Sequence, residues 1–456
     1  MADPVVRRLN VTDDPAFGVL RIVASESDGE IWVVGGYVRD RLLSPDGPGS
    51  DRDLDLVVVG APAGAVAARF AQLAEAPPPA TFPRFGTAQV TWEGRLFEFV
   101  RARRESYSAD SRKPDVEQAT LEEDLARRDF TINTLYCDLG GGVRDPLGGL
   151  ADLEGHLLRT PTDPELTFRD DPLRMLRGVR FAAALGFHLA PAAARAMEAL
   201  AGRLQPPVVS IERIAGEFWK MLVSPRPRLA LELLDRHRLL PQVLPELAAT
   251  HGVVQGGYHD DDVFSHTVRT VELTRPELTL RLAALFHDLG KPATARDGGF
   301  PGHEAVGAGL ATDALTRLRL PGAQVQAVAR LVRLHLRPVF YESGWTDGAV
   351  RRLARAAGED IWLLLELARA DMGASTYPQT EKIDELQARL EALLAERPDR
   401  FTLPLTGEDI MAALALPPGP EVGRVKAELE DLVLDGILPP DREALLRHLE
   451  RRSQVS

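Results

Sequence analysis

Gly35-Gly36-Tyr37-Val38-Arg39-Asp40 follows the apolar run Ile31-Trp32-Val33-Val34 and precedes Asp51-Arg52-Asp53-Leu54-Asp55-Leu56. The apolar run has strand character, and the paired glycines end it in a turn that opens a helix. Such a turn brings backbone N–H groups and a helix N-terminus close to a phosphate, and Arg39 adds charge-assisted hydrogen bonds. On its own, a Gly-Gly pair reads more simply as a strand–turn–helix whose glycines only permit positive φ. The second segment changes that balance. Asp53 and Asp55 stand two apart on the next strand, so both carboxylates leave the same face. They repel each other unless cations lie between them, and Mg2+ suits such oxygen ligands while keeping positions for water and a triphosphate. Two ions held there activate an attacking hydroxyl and neutralise a leaving pyrophosphate.

Outward from this segment, Leu54–Val59, Ala88–Trp92 and Arg95–Val100 read as further strands, and the Ala-rich stretch 63–74 reads as a helix. Together they predict an α/β head with a small mixed sheet, to about residue 150. The stretch Arg101 to Ala119 is rich in charge and poor in large apolar residues, which predicts a mobile loop. From about Asp170 the apolar spacing turns helical, through Leu173, Leu176, Val179 and Phe181, and no later stretch reads as a strand. Pro241, Pro245 and the glycines from Gly252 to Gly257 mark one seam, and the stretch from Pro398 to Thr406 marks another. The expected division is a head (1–150), a helical neck (151–250), a second helical domain (251–397) and a C-terminal helical segment (398–456).

The chain has 456 residues and a formal net charge of −13, which argues against non-specific coating of nucleic acid. Arginines cluster locally at Arg101, Arg103 and Arg104, at Arg127 and Arg128, and at Arg169, Arg174, Arg177 and Arg180, where triphosphate or RNA finds positive charge. Cys137 is the single cysteine, so an intrachain disulfide and a cysteine-based zinc site are both excluded. The N-terminal residues lack a signal-peptide pattern and no long apolar run follows, so a cytoplasmic protein without a membrane partner is expected.

Four ordered motifs resemble those of the class II tRNA nucleotidyltransferases (CCA-adding enzymes) and bacterial poly(A) polymerases, within the polymerase-β-like superfamily. The first is Gly35 to Asp40 with Asp53 to Asp55. The second is Arg127-Arg128-Asp129-Phe130-Thr131-Ile132-Asn133, preceded by Leu121-Glu122-Glu123-Asp124-Leu125. The third is Arg144-Asp145-Pro146-Leu147-Gly148-Gly149-Leu150-Ala151-Asp152-Leu153, and the fourth runs from Asp170 to Phe181. The resemblance implies an α/β nucleotidyltransferase head followed by an all-α neck and body, and addition of CCA to the 3′ end of tRNA from CTP and ATP. Asp53 and Asp55 are then the catalytic, Mg2+-binding pair. Gly35, Gly36, Arg39, Arg128, Asp129, Asn133, Asp171, Arg174, Arg177 and Arg180 form the nucleotide-binding set. Within it the resemblance implies that Asp129 accepts from a ribose hydroxyl and that Asp171 and Arg174 read the Watson–Crick edge of CTP or ATP. One departure is visible, since Asp170 stands where the family has Glu. Glu98, on a neighbouring strand, reads as an edge glutamate and stays outside the catalytic set.

A second constellation lies further on: His266, His287-Asp288, His303, His335 and Asp371. Imidazole and carboxylate together suit a first-row divalent metal. The H…HD…D spacing resembles the HD phosphohydrolase superfamily, in an all-α HD domain. That resemblance implies a divalent transition metal on His266, His287, Asp288 and Asp371 that activates water on a phosphoester, with His303 and His335 between. Three alternatives stay open at this level: an enzyme adding only the terminal A, a poly(A) polymerase, or chiefly a phosphohydrolase with a nucleotide-binding head.

Overall fold

Alternating small and branched apolar residues make the head a sheet. In the computed structural model, which describes residues 4–44, 53–83, 86–106, 115–118, 120–256, 259–376, 379–396 and 403–453, eight strands join in the order β1-β10-β9-β2-β3-β6-β5-β4. They are β1 (Arg7–Arg8), β2 (Glu30–Val34), β3 (Leu54–Val59), β4 (Ala80–Phe82), β5 (Thr87–Trp92), β6 (Arg95–Arg101), β9 (Tyr136–Cys137) and β10 (Gly142–Arg144). Only β3 and β6 pair in parallel; every other pairing is antiparallel, so the sheet is mixed as expected. The stretch from Arg101 departs from the expected loop. β7 (Arg103–Ser106) and β8 (Asp115–Gln118) form an antiparallel hairpin whose polar residues carry no apolar stripe to betray it. Residues 107–114 and 119 of that stretch lie outside the described residues, as do Asp51, Arg52, Gly257 and residues 397–402 of the second seam.

Helices α1 (Pro15–Glu26), α2 (Gly36–Leu43) and α3 (Ala63–Leu73) accompany the sheet, followed by α4 (Leu121–Ala126) and α5 (Gly149–Glu154). Fully buried Phe70, Phe97 and Phe99 pack ring against ring under α3, with centroids 4.8 and 5.5 Å from Phe70. The neck is helical: α6 (Pro164–Asp170), α7 (Leu173–Leu185), α8 (Pro191–Leu200) and α9 (Ile211–Leu222). α7 ends at Gly186, whose left-handed φ of 75° terminates the helix. Gly178 admits a close approach, because a Cβ there would lie 2.7 Å from Met197 Cε and 2.8 Å from Phe130 Cζ. Short strands also occur beyond the head: Leu157–Leu158 pairs with His188–Leu189, and Val254–Gly256 with His259–Asp262. The sequence shows no strand at these places because two to four residues are too few for periodicity to register.

Residues Met1–Val243 and Leu244–Ser456 form two compact units. In the second, helices Val263–Glu272, Leu278–Phe286, His303–Arg317, Gly322–Leu334 and Ile361–Gly373 carry the histidine set. Leu405, Ile410, Val425, Leu429, Val433, Leu445 and Leu449 make a small core among the last three helices. Among the described residues no helix is long and apolar enough to cross a membrane.

One charged pair supports the head from inside. Asp14, fully buried, caps α1 through the Ala16 amide and accepts two bonds of 2.9 Å from buried Arg95, with the Tyr37 hydroxyl 3.2 Å away. Removing one partner strands a charge in the core, so Arg95→Ala is expected to destabilise the protein by about 3–5 kcal/mol. Calorimetric unfolding checks this, and a loss under about 1 kcal/mol would contradict it.

Candidate functional site

The turn after β2 is built as the glycines suggest. Gly35 has φ 70° and ψ −127°, a backbone region that disfavours side chains, and its amide donates to Leu135 O at 3.1 Å. A Cβ on it would lie 3.0 Å from Arg128 Nη1 and 3.5 Å from Asp55 Oδ2, so the absent side chain leaves room for two functional groups to converge. α2 starts here with no side-chain cap, leaving its first amides directed at the cleft.

Each arginine at the cleft is oriented by an acid or a carbonyl. The second motif's leader, Leu121 to Leu125, forms α4 behind a Thr120–Glu123 capping box. Buried Asp124 on α4 accepts from Arg127 at 2.6 Å and from Arg128 at 3.4 Å. Asp129 is 6% exposed and accepts from Arg177 Nε at 2.6 Å, from Asn133 Nδ2 at 2.8 Å and from the Phe130 amide at 2.8 Å. Asn133 in turn accepts from Arg39 Nη1 at 2.7 Å, which links α7, the Thr131–Asn133 turn and α2. Burial pushes the Asp129 carboxyl up, but Arg177, Asn133 and the Phe130 amide outweigh it and bring it down to about 2.

The fourth motif places Arg174, Arg177 and Arg180 on one side of α7 while Met175, Leu176, Gly178 and Val179 are buried on the other. Arg174 donates to two backbone carbonyls, Thr167 O and Arg127 O. The guanidinium carbons of Arg180, Arg39 and Arg177 lie 4.2, 5.0 and 5.4 Å from the centre of the Phe181 ring, which spaces three like charges with one aromatic face and edge. The third motif acts as a brace. Asp145 accepts from the Gly149 and Leu150 amides at 2.7 and 2.9 Å, and Asp152 accepts from Thr131 Oγ1.

These groups enclose one cavity of about 460 Å³, lined by Gly35, Gly36, Arg39, Asp55, Arg127, Arg128, Asp129, Asn133, Asp171, Leu173, Arg174, Arg177, Arg180, Phe181 and Arg213. Seven arginines face three aspartates there, so a chain of net charge −13 concentrates positive potential at this point. All ten residues expected to bind nucleotide line it. Of the expected catalytic pair Asp55 lines it and Asp53 does not; Asp53 Oδ1 accepts from the Leu96 amide at 2.7 Å. The parallel register sets Asp55 opposite Glu98. The Asp55 carboxyl is pushed up, first by desolvation in the cleft and further by Glu98 and Asp53, against the pull of Arg128 and Arg177. Clustered carboxylates of this kind form a site that a divalent cation relieves. The sequence alone leaves Glu98 as an edge glutamate, because a two-residue alternation on a neighbouring strand gives no sign of which strand it will pair with. Arg213 was missed because a lone arginine on a helix carries no pattern.

The second unit holds the histidine set. His266 Nε2 lies 2.9 Å from Asp371 Oδ1 and 3.3 Å from His287 Nε2, while His303 Nε2 lies 3.3 Å from both His335 Nε2 and Asp288 Oδ1. Two compact triads result, His266/His287/Asp371 and Asp288/His303/His335, each with its ligand atoms within 4.8 Å of one another. Asp288 reaches both groups: its Oδ2 lies 3.1 Å from His287 Nε2 and 3.7 Å from His266 Nε2, and its Oδ1 lies 3.3 Å from His303 Nε2, so the expected set His266, His287, Asp288 and Asp371 is brought together with His303 alongside. Three of the histidines direct Nδ1 at the carbonyl three residues back: His287 at Ala284, His303 at Phe300 and His335 at Val332, at 2.7 to 2.8 Å. A carbonyl only accepts, so Nδ1 carries a proton and Nε2 is the atom turned to the cluster, free to bind a metal once it gives up any proton of its own. Burial pulls the His287 imidazole down, but Asp288 and Asp371 overcome it and raise it to about 10, a measure of how strongly the two carboxylates favour positive charge. Lys291 Nζ, 2.6 Å from Asp288 Oδ2, borders an adjoining cavity of about 360 Å³.

Against known proteins, residues 31–159 match the Poly A polymerase head domain, 186–250 the "Probable RNA and SrmB- binding site of polymerase A", and 263–391 the HD domain. The chain is 38% identical over 343 residues to the A-adding tRNA nucleotidyltransferase of Deinococcus radiodurans, covering 71% of this chain and 78% of that one. The chain belongs to the tRNA nucleotidyltransferase family. The CC-adding tRNA nucleotidyltransferase of Thermus thermophilus is equally similar, 38% identical over 341 residues, covering 72% of this chain and 76% of that one. Among solved structures, the Bacillus stearothermophilus CCA-adding enzyme in complex with CTP superposes with a TM-score of 0.72 at 25% identity, over 96% of this chain and 97% of that one. This tRNA nucleotidyltransferase therefore has the mixed-sheet head, helical body and HD domain that its motifs implied.

Because the Asp129 carboxyl is lowered in the folded state, it stabilises the fold above its unfolded pKa of about 3.9, and that contribution fades as pH falls towards about 2. The stability difference between wild type and Asp129→Asn is expected to be flat from pH 8 to 5, on the order of 2 kcal/mol, and to shrink below pH 4. Thermal melts across that range check it; a difference unchanged down to pH 2 contradicts it.

Proposed function

We propose that this tRNA nucleotidyltransferase adds CCA to the 3′ end of tRNA from CTP and ATP, releasing pyrophosphate. The observation that carries this reading is the arginine-lined cavity that holds Asp55, Asp129, Asp171 and Arg174 together. Asp53 and Asp55, with Glu98 as a third acid, would hold Mg2+. The donor set suits that ion in its chemistry, being all carboxylate, with Asp55 and Glu98 opposite one another in the β3–β6 pairing. When bound, Mg2+ supplies Lewis-acid stabilisation of the transferring phosphoryl group and its leaving pyrophosphate. Arg39, Arg177 and Arg180 and the amides opening α2 bind the triphosphate, and Arg128 orients it beside Asp55. Asp129 keeps lone pairs for a ribose hydroxyl, which selects ribonucleotides. Asp171 accepts from the exocyclic amine of cytosine or adenine and Arg174 donates to the ring nitrogen, so protein side chains replace a nucleic-acid template.

Equal identity to an A-adding and a CC-adding relative makes the choice of nucleotides an experimental matter. Purified protein offered tRNA ending before CCA, or ending in CC, with labelled CTP or ATP is expected to extend both. Use of ATP alone, on the CC-ended tRNA only, selects terminal A addition instead; no incorporation on either substrate refutes transfer. Asp55→Ala is expected to lower incorporation at least 10³-fold.

A second activity is favoured by the two triads. We read the HD domain as a cytoplasmic RNA-end phosphohydrolase centre in which His266, His287 and Asp371 hold one divalent transition metal and Asp288, His303 and His335 a second. The separable sites make a clear expectation. His287→Ala loses metal-dependent hydrolysis of a 2′,3′-cyclic nucleotide and keeps nucleotide incorporation, whereas Asp55→Ala does the converse. Loss of both activities in either variant contradicts two independent centres.

A further inference from the structure

The cavity beside the histidine set joins two kinds of surface. Asp288, His303, His335 and Asp371 supply a polar one, and Leu336, Val339, Phe340 and Met372 an apolar one. Chain connectivity ties the two together, since Leu336 directly follows His335 and Met372 directly follows Asp371. Leu336, Val339 and Met372 are half-buried, whereas Phe340 is 68% exposed. That exposure is not slack in the chain. The Phe340 amide donates to Leu336 O at 3.1 Å, closing the helical turn Leu336–Val339. Pro338 before it and Tyr341 after it are buried, and Tyr341 Oη donates to Glu385 Oε1 at 2.9 Å on the helix Glu381–Glu396. The ring is therefore presented to solvent from a fixed backbone. A lone exposed Phe is ordinary, but one continuous with apolar lining beside a chemical centre marks a binding surface.

At about 360 Å³ the cavity lies near the lower end of the range for small-ligand sites. Its occupant has to offer a phosphoester to the metal ligands and a flat apolar body to the wall. A nucleobase is such a body, and stacking on an aromatic ring accepts any base because every base has a π-face. We propose that Leu336, Val339, Phe340 and Met372 form a base-binding wall of the HD centre, with Phe340 as the stacking platform, so that its substrates are phosphoesters of nucleosides rather than of simple alcohols. The inference rests on the reading of the HD domain as a phosphohydrolase. In that reaction the oxygen of water adds to phosphorus, the bond from phosphorus to a ribose oxygen breaks, and a proton from the water ends on that oxygen. The wall takes no part in these bonds; it holds the base and thereby places the phosphoester at the metal ligands.

The test compares two cyclic phosphodiesters of vicinal diols, adenosine 2′,3′-cyclic phosphate and glycerol 1,2-cyclic phosphate, which share the scissile ring and differ in the base. Full-length wild type, Phe340→Ala and Phe340→Tyr are assayed with Mn2+, Co2+ and Ni2+, with melting temperatures recorded alongside. Phe340→Ala is expected to lower the ratio of kcat/KM for the adenosine ester to that for the glycerol ester about ten-fold, through KM, and Phe340→Tyr to retain it. A second readout needs no metal. In chelator-treated Phe340→Trp, measured against wild type, adenosine 2′,3′-cyclic phosphate is expected to quench the fluorescence of the added indole, and the glycerol ester is not. An equal fall for both esters in Phe340→Ala would mean that the ring only shapes the metal centre, and an unchanged ratio would mean that it meets no base; either overturns the inference. No hydrolysis of either ester by wild type would remove the phosphohydrolase reading itself. The quenching then decides the base wall alone, and its absence refutes it.

Discussion

The buried carboxylate of Asp129 is the constraint on which the nucleotide-transfer cleft depends. A charge in a low-dielectric interior persists only when it is well supplied with donors, and three supply this one: Arg177 from α7, Asn133 from the turn after α4, and the Phe130 amide. The chain extends one step to Arg39 on α2 through the Asn133 amide oxygen. A single aspartate thereby ties the neck helix to the glycine turn of the head. It also explains the spacing of Arg128-Asp129 and Asn133, since a short 3₁₀ turn over Thr131–Asn133 returns the Asn133 side chain to the Asp129 carboxylate.

Arginine crowding is the complementary problem. Like charges this close would spread apart, and the fold opposes that with an acid or carbonyl for each: Asp124 for Arg127 and Arg128, Asp129 for Arg177, Glu217 for Arg180, and backbone oxygens for Arg174. Phe181 adds an aromatic surface among three of them. The result is a preorganised cationic cleft whose donors need little rearrangement when an anion enters. Asp55 is acted on by Glu98 and Asp53 as well as by Arg128 and Arg177.

The second unit solves a different problem by the same means. Backbone carbonyls three residues back fix the Nδ1 protons of His287, His303 and His335, and the Nε2 atoms converge on the cluster. Asp288 sits among them with Lys291 against it, joining two triads that neither a helical periodicity nor a pair of adjacent letters describes.

How far the sequence reached follows from distance along the chain. Glycine turns, the Asp53/Asp55 alternation and the three-residue spacing of Arg174, Arg177 and Arg180 are local rules of strand and helix that marked the head and the helical neck, while the HD domain was legible through its resemblance to a known family. Polar two-residue strands and the Arg103–Gln118 hairpin escaped, because without an apolar stripe a strand has no period to read. What only the tertiary structure decided are the meetings of distant residues: Glu98 beside Asp55 through parallel pairing, Arg213 and Glu217 against α7, and Asp288 between His287 on one side and His303 on the other. Each of those is set by which elements pack together, a property of the whole buried core that no single stretch of sequence contains.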